Sequence, residues 1–369
     1  PAHIRPPSLI YTTNSDRHCR LTISSTLAVE KVTYRDAVIP ALQVAVGLDL
    51  PSQVMIRPIT VTVPNGVLRA EFDIFLQGVP QCEFRILPSE GTLNPKKLLQ
   101  AIDPSWGNLL ADVSFSDASH LHCDGSFFLS GESRLQIGGR LQSPHCTYGV
   151  LAVEDVVADW SLTASTLHWQ VKDAKYLGGS LASSGFYDTR TSRGETLLIA
   201  NKMSLDRFLA QLGIDEKSTE GLPGHVNAES HVQILRGWAG RPYHLEGTGH
   251  VAIRDSELWQ VPLLTKLGGL LEVTTLSWLT QRRLAGLGRI SSLDADLEFL
   301  GQRLVVPTLS TNGTIIALNG SGEYNWDTDK MYFQVSGEAL KEVSILSMVL
   351  KPLTWAFHAE LTGTRAKNE

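Results

Sequence analysis

Between residues 68 and 171 the chain alternates apolar and polar residues repeatedly, and that period of two is its strongest constraint on fold. In "RAEFDIFLQG" Ala70, Phe72, Ile74 and Leu76 share one parity; in "QCEFRILP" Cys82, Phe84 and Ile86 do so against Gln81, Glu83 and Arg85. "ADWSLTA" and "LHWQVKD" repeat the pattern with Trp160 and Leu162, then with Leu167, Trp169 and Val171. Successive side chains of a strand point to opposite faces, so each segment reads as a strand with one apolar and one polar face. Glycine-centred signals at 64–66, 124–125 and 178–179 are the expected turns. The result is a meander of hairpins.

The same alternation returns in "YHLEGTGHVAIRD", where Tyr243, Leu245, Val251 and Ile253 face one way, and then the period changes. Pro262 opens a segment in which Leu263, Leu264, Leu267, Leu270 and Leu271 fall on one side of a helix. Gly268 and Gly269 would each weaken that helix by roughly 0.5 to 1 kcal/mol relative to alanine, so it depends on docking. Short helices are also expected in "NPKKLLQAI", in "SLDRFLAQLG" with Ser204 as N-cap and Gly213 as stop, and around Val343–Val349.

Two stretches echo each other. "ADWSLTASTLHWQVKDAKYLGGSLASSGFYD" and "ADLEFLGQRLVVPTLSTNGTIIALNGSGEYN" carry Asp159 and Gly185, and Asp296 and Gly322, at the same separation. Each unit is about three strands, which points to a repeated strand, strand, glycine turn, strand module.

Charge narrows the function classes. A net charge of -6 over 369 residues lacks the electrostatic footprint of a protein that grips nucleic acid. The most apolar long window, Val343–Phe357, is broken by Lys351 and Pro352 and is shorter than the roughly 20 residues a spanning helix needs.

Catalytic constellations are scarce. No G-x-S-x-G elbow, Walker loop or H-E-x-x-H is present. "GTGHVA" matches a dinucleotide fingerprint only formally, because a strand is expected to run on through its glycines. The cluster His120, His122, Cys123 and Asp124, with His145 and Cys146 downstream, puts the two histidines on one strand face and Cys123 on the other, a poor start for a metal site. Cys19, Cys82, Cys123 and Cys146 have no C-x-x-C spacing, which leaves disulfides or buried free thiols open. Catalytic residues, cofactors and metal ligands are therefore all expected to be none, and the chain is not expected to be an enzyme.

Residues 226–369 resemble the AsmA-like C-terminal region of the bacterial AsmA, TamB and YhdP superfamily. The resemblance rests on "LEGTGHVAIRD", "LWQVPLLTKL", "TLSTNGTIIALNGSGEYN" and "LSMVLKPLTWAFHAELTGT" in succession. The chain departs from the family pattern at Ser256, where a glycine is usual, and its closing strand stops at Glu369. The resemblance implies a periplasmic protein tethered to the inner membrane by an N-terminal anchor preceding this sequence. It also implies a β-sheet curled into an apolar groove, and a role in moving phospholipid to the outer membrane and maintaining that membrane. Residues 1–225 are expected to be a repetitive β-rich groove segment, and 226–369 the AsmA-like region with its leucine helix.

One physical argument leads the same way independently. A sheet of hairpins with one apolar face must cover that face with another sheet, with helices or with something other than protein. Roughly 20 strands at about 4.8 Å each would extend on the order of 100 Å if continuous, and the expected helices are too few to cover them. The expected fold is thus mainly β: an elongated, twisted antiparallel sheet curled into an apolar groove, with a few short amphipathic helices. The expected ligand is a phospholipid or another acyl-chain lipid. Candidate lipid-facing residues are Trp160, Leu162, Val251, Ile253, Leu263, Leu264, Leu267, Leu271, Leu297 and Phe299. The competing expectation is a structural or adhesive sandwich or solenoid whose apolar faces close on each other.

Overall fold

The computed structural model describes residues 2–4, 8–13, 19–34, 37–50, 52–63, 66–91, 96, 113–116, 119–129, 136–149, 151–211, 219–236, 244–256, 290–313, 316–328, 330–339 and 356–364. These residues are mainly strand, with few helices, and every strand pairing among them is antiparallel between the residues quoted below. The chain divides into two compact units. The first comprises Pro1–Ala174 and Phe186–Thr191, the second Lys175–Gly185 and Ser192–Glu369.

The first unit holds β1 (Ala2–Ile4), β2 (Ser8–Thr13), β3 (Cys19–Tyr34), β4 (Ala37–Leu50), β5 (Gln53–Val63) and β6 (Gly66–Phe75). It continues with β7 (Gln81–Gly91), β8 (Val113–Phe115), β9 (His120–Phe128), β10 (Gln136–Tyr148) and β11 (Leu151–Thr163). β1 and β2 both pair with β3, after which β3 to β7 are joined in sequence order, β7 pairs with β9, and β10 lies between β9 and β11. Then come β12 (Thr166–Tyr176) and β13 (Gly179–Asp188), within which the division between the units falls.

The second unit continues with β14 (Arg193–Ser204), the helix α1 (Leu205–Gln211), β15 (His225–Arg236), β16 (His244–Arg254) and β17 (Ile290–Gly301). β18 (Arg303–Gly313), β19 (Ile316–Asn325), β20 (Lys330–Ala339) and β21 (Ala356–Thr364) complete it. From β14 to β21 each strand pairs antiparallel with the next, and among the described residues no pairing closes the series into a barrel. Each of the two echoing stretches covers three consecutive strands, β11–β13 and β17–β19.

The turn expectations have mixed outcomes. Leu177 and Gly178, with φ of 49° and 80°, make the tight turn between β12 and β13 where the glycine pair was expected to turn. Asp124 and Gly125 do not form a turn; they lie inside β9. Gly125 is opposite Phe84, and a β-carbon there would stand 2.7 Å from Cζ of that ring. The glycine makes room for an aromatic neighbour rather than for a change of direction. Leu76 likewise falls beyond the end of β6 and is 40% exposed.

α1 forms where "SLDRFLAQLG" predicts it. Ser204 donates its hydroxyl to the Asp206 carboxylate, which in turn accepts the Arg207 N–H at 2.6 Å. The Ser204 hydroxyl and that N–H hold the Asp206 carboxyl below the usual carboxylate range. The leucine segment 262–271, the segment 343–349 and all but Lys96 of "NPKKLLQAI" lie outside the described residues, as does Gly213.

Candidate functional site

Directly opposed residues on neighbouring antiparallel strands lie on the same face, so the register traces each face across a unit. In the first unit one row runs Ile56, Phe72, Phe84, Gly125, Ile137 and Leu162. The next runs Ala70, Ile86, Cys123, Gly139 and Trp160. The reverse face carries Glu71, Arg85, Asp124, Gly138 and Ser161 in one row. The parity read from the sequence for Ala70, Phe72, Ile74, Cys82, Phe84 and Ile86 is thus the parity of one continuous apolar face.

The second unit repeats this division. Ala228, Val251, Ala295, Leu309, Gly320 and Val335 form one row, and Val232, Gly247, Phe299, Leu304, Tyr324 and Met331 another. Between them lie Gly249 opposite Leu297, and Val306, Gly322 and Phe333 in line. The other face carries the row Glu229, His250 and Asp296, and the row His231, Thr248 and Glu298. From His244 to Val251 exposure follows parity along β16: His244, Glu246, Thr248 and His250 are exposed while Leu245, Gly247, Gly249 and Val251 are half-buried.

The apolar face of the second unit is not uniform. Under α1 it is dry: Leu205 and Val226 are 0% exposed, and Met203, Leu209, Leu222 and Ile253 are buried with them in one cluster that extends to Leu318 and Val335. Away from α1 the large apolar residues Leu297, Phe299, Leu304, Tyr324, Met331 and Phe333 are all only half-buried. These half-buried residues form the more accessible part of the face, and Val232 and Val306 in the same rows are buried.

Among the described residues just traced, aromatic residues oppose glycines twice on the apolar face of each unit: Phe84 and Gly125, and Trp160 and Gly139, in the first; Phe299 and Gly247, and Phe333 and Gly322, in the second. At Gly322 a β-carbon would stand 2.3 Å from Cδ1 of Phe333, so the ring lies against bare backbone. Such pairs remove bulk from one face only, and bulges interrupt the pairing between Ala295 and Glu298 and between Val306 and Leu309.

The candidate residues are distributed as follows. Trp160 and Leu162 lie on the apolar face of the first unit. Val251, Ile253, Leu297 and Phe299 lie on that of the second, with Ile253 inside the dry cluster, Val251 packed at its edge, and Leu297 and Phe299 in the accessible part. Leu263, Leu264, Leu267 and Leu271 lie outside the described residues. What the sequence missed are the partners Leu304, Tyr324, Met331 and Phe333, which reach this row only through the register of β18 to β20; the alternation within "KMYFQV" was the available signal.

Among the described residues the polar faces carry exposed ion pairs. His250 lies 2.9 Å from Asp296 and 3.5 Å from Asp294, His231 pairs with Glu195, and Arg254 forms a two-pronged pair with Asp294 at 2.5 and 3.0 Å. The hydrogen bond from Thr308 at 2.5 Å, and then that from His250, lower the Asp296 pKa. His122 and Asp124 sit on the polar face 3.8 Å apart, while Cys123 is buried on the apolar one. Among the described residues no three or more His, Cys, Asp or Glu side chains are grouped to hold a metal ion. Cys82, Cys123 and Cys146 are free thiols, and burial pushes Cys123 and Cys146 up to about 11. β16 runs straight through the glycines of "GTGHVA", with no helix starting there. Among the described residues no helix is long and apolar enough to cross a membrane.

Ser256, where the sequence departs from the pattern it resembles, is buried, and both its hydroxyl and its N–H donate to the Ser291 carbonyl at 3.2 Å. No protein-family model, no curated protein and no solved structure matches the chain.

Proposed function

We propose that this chain is a non-catalytic lipid carrier whose apolar sheet faces line a groove for acyl chains. The observation that carries the proposal is the contrast between faces. In the second unit a continuous uncharged face lies beside a charged one, and the large residues Phe299, Leu304, Tyr324 and Phe333 on the uncharged face are only half-buried. Apolar area left partly wet stabilises whatever covers it by roughly 25 cal/mol per Å². An acyl chain satisfies such a surface without requiring a single polar contact. The glycine and aromatic pairs support a face that is concave, the curvature a groove needs.

The resemblance of residues 226–369 to the AsmA, TamB and YhdP superfamily narrows the proposal. The cargo is then phospholipid, the compartment the periplasm, the attachment an inner-membrane anchor preceding this sequence, and the role transport to and upkeep of the bacterial outer membrane. No cofactor, metal or nucleic acid takes part.

The test is lipid extraction and native mass spectrometry of the purified chain. Co-purifying phospholipid is the expected result; a chain that is lipid-free and also fails to bind fluorescent phospholipid overturns the proposal. A second reading, a structural or adhesive all-β protein, is favoured by the dry cluster of Leu205, Met203, Val226 and Ile253, which has the burial of an ordinary protein core. That reading expects lipid-free protein.

A further inference from the structure

Resting on the lipid reading above, we infer that the hairpin tip joining β6 and β7, with the end of β9 beside it, docks the chain on the surface of a zwitterionic bilayer. A carrier of membrane lipid has to touch a bilayer to load or unload, and three features of this tip suit that contact.

Large apolar side chains are exposed here together. Phe75 is 36%, Leu76 40%, Val79 61% and Leu129 48% exposed, half of the exposed large apolar residues of the described chain. The strand pairing gathers them at one end of the first unit. Phe75 lies between Gln53 and Gln81, Gln81 is also opposite Phe128, and the N–H groups of Leu76 and Leu129 donate to Ser52 O at 2.9 Å and Pro80 O at 2.8 Å. Gly78, with φ of 74°, turns the chain at the tip. Single exposed apolar residues are ordinary on a protein surface, whereas a contiguous group of them marks a site of protein or membrane contact.

The tip carries no charge. From Ile74 to Cys82, and from Gly125 to Leu129, every residue is uncharged. Charged groups are what steer and orient a specific protein partner, and a bilayer needs none of them to accept apolar side chains on a convex turn.

Charge begins just behind the tip, and its sign selects the surface. Asp73 and Glu83 oppose each other two positions inward from Phe75 and Gln81, and Glu71, Arg85 and Asp124 form the next row of that face. Arg57 reaches Asp73 at 3.4 Å, and these six side chains line one cavity. Four carboxylates against two guanidinium groups leave a local excess of two negative charges. An anionic surface would be repelled by that excess, and zwitterionic headgroups would not. Asp73 stands three residues behind Leu76, roughly 10 Å along the chain. The tip can therefore enter the headgroup boundary to roughly 5 to 10 Å while the carboxylates stay in water.

The experiment is flotation of the full chain with vesicles of phosphatidylcholine and phosphatidylethanolamine, and with the same vesicles carrying phosphatidylglycerol. The unaltered chain is expected to float with the zwitterionic vesicles and severalfold less with the anionic ones. Val79→Asp at the turn, and independently Leu129→Ser on β9's side of the tip, should each reduce flotation severalfold, while Leu300→Asp in the second unit leaves it unchanged. Circular dichroism and co-purifying lipid should match the unaltered chain in all three. Flotation that both tip variants retain in full, that Leu300→Asp reduces equally, or that increases with phosphatidylglycerol overturns the inference. So does self-association, read by sedimentation, that Val79→Asp abolishes, because a second copy would then cover the tip. Co-purifying phospholipid without flotation overturns the inference and leaves the lipid reading standing; neither lipid nor flotation overturns both.

Discussion

Phe333 on β20 lies against Gly322 on β19, so close that a β-carbon at 322 would meet its Cδ1 at 2.3 Å and its Cγ at 2.5 Å. Phe84 and Gly125 repeat the arrangement in the first unit, where the Phe84 ring also neighbours those of Phe72 and Phe127 at 6.0 and 6.3 Å between centroids. The ring covers backbone that glycine leaves bare, and the glycine gives the ring its place.

Gly322→Ala should destabilise the chain by roughly 1 to 3 kcal/mol, because the nearest atoms belong to the base of a ring that cannot swing clear without repacking. Urea midpoints give the value. In a double-mutant cycle, Phe333→Leu should recover part of the loss; strict additivity of the two substitutions would mean that the ring is not the cause.

Acid should erase the contribution of the Thr308 and Asp296 pair. The Asp296 pKa is lowered in the folded chain, first by the Thr308 hydroxyl and then by His250, so its contribution is present above the ordinary carboxylate pKa and is lost as pH falls through the lowered value. Thr308→Val should therefore be less stable than the unaltered chain at neutral pH, with the gap narrowing as pH falls below the ordinary carboxylate pKa. A gap of constant size across that range would contradict the assignment.

The Cys123 and Cys146 thiols should be nearly inert. Desolvation comes first for both Cys123 and Cys146, with the Asp124 charge adding to it at Cys123, and each is pushed up to about 11. At mildly alkaline pH their thiolate fraction is then on the order of a hundredfold below that of an ordinary cysteine. Iodoacetamide should label both slowly in the native chain and fast in urea. Because the raised pKa favours the protonated folded form, this contribution holds below the ordinary thiol value and is lost as pH rises toward about 11.

The apolar face was legible in the sequence because parity is a local property: Phe72 and Ile74, or Val251 and Ile253, reveal their shared side without knowledge of any partner strand. Register is not local. That Leu297 faces Gly249, or that Phe333 covers Gly322, depends on which strands pair and where β-bulges shift them, as between Ala295 and Glu298. Gly125 was misread as a turn for the same reason, since its partner Phe84 is 41 positions away and Asp-Gly is an ordinary hairpin signal. The dry cluster was also out of reach, because Leu205 and Ile253 meet only after α1 has docked.

Two arginines on the same face should separate core from cargo surface. Ile253 is 6% exposed inside the cluster beneath α1, so Ile253→Arg buries a charge with no partner and should cost more than about 3 kcal/mol, unfolding much of the second unit. Leu297 is half-buried on the apolar face, where an arginine stem can follow the apolar surface and carry its guanidinium to water, so Leu297→Arg should cost only about 1 kcal/mol. What it should lose is lipid, because a charge held on that face is incompatible with an acyl chain across it. Val251→Asp, at the edge of the cluster, should show both effects in part. Circular dichroism with quantified lipid extraction reads all three variants. If Leu297→Arg unfolds as completely as Ile253→Arg, the face around Leu297 is protein core and the groove reading fails; if it folds and retains its full complement of phospholipid, the lipid lies elsewhere.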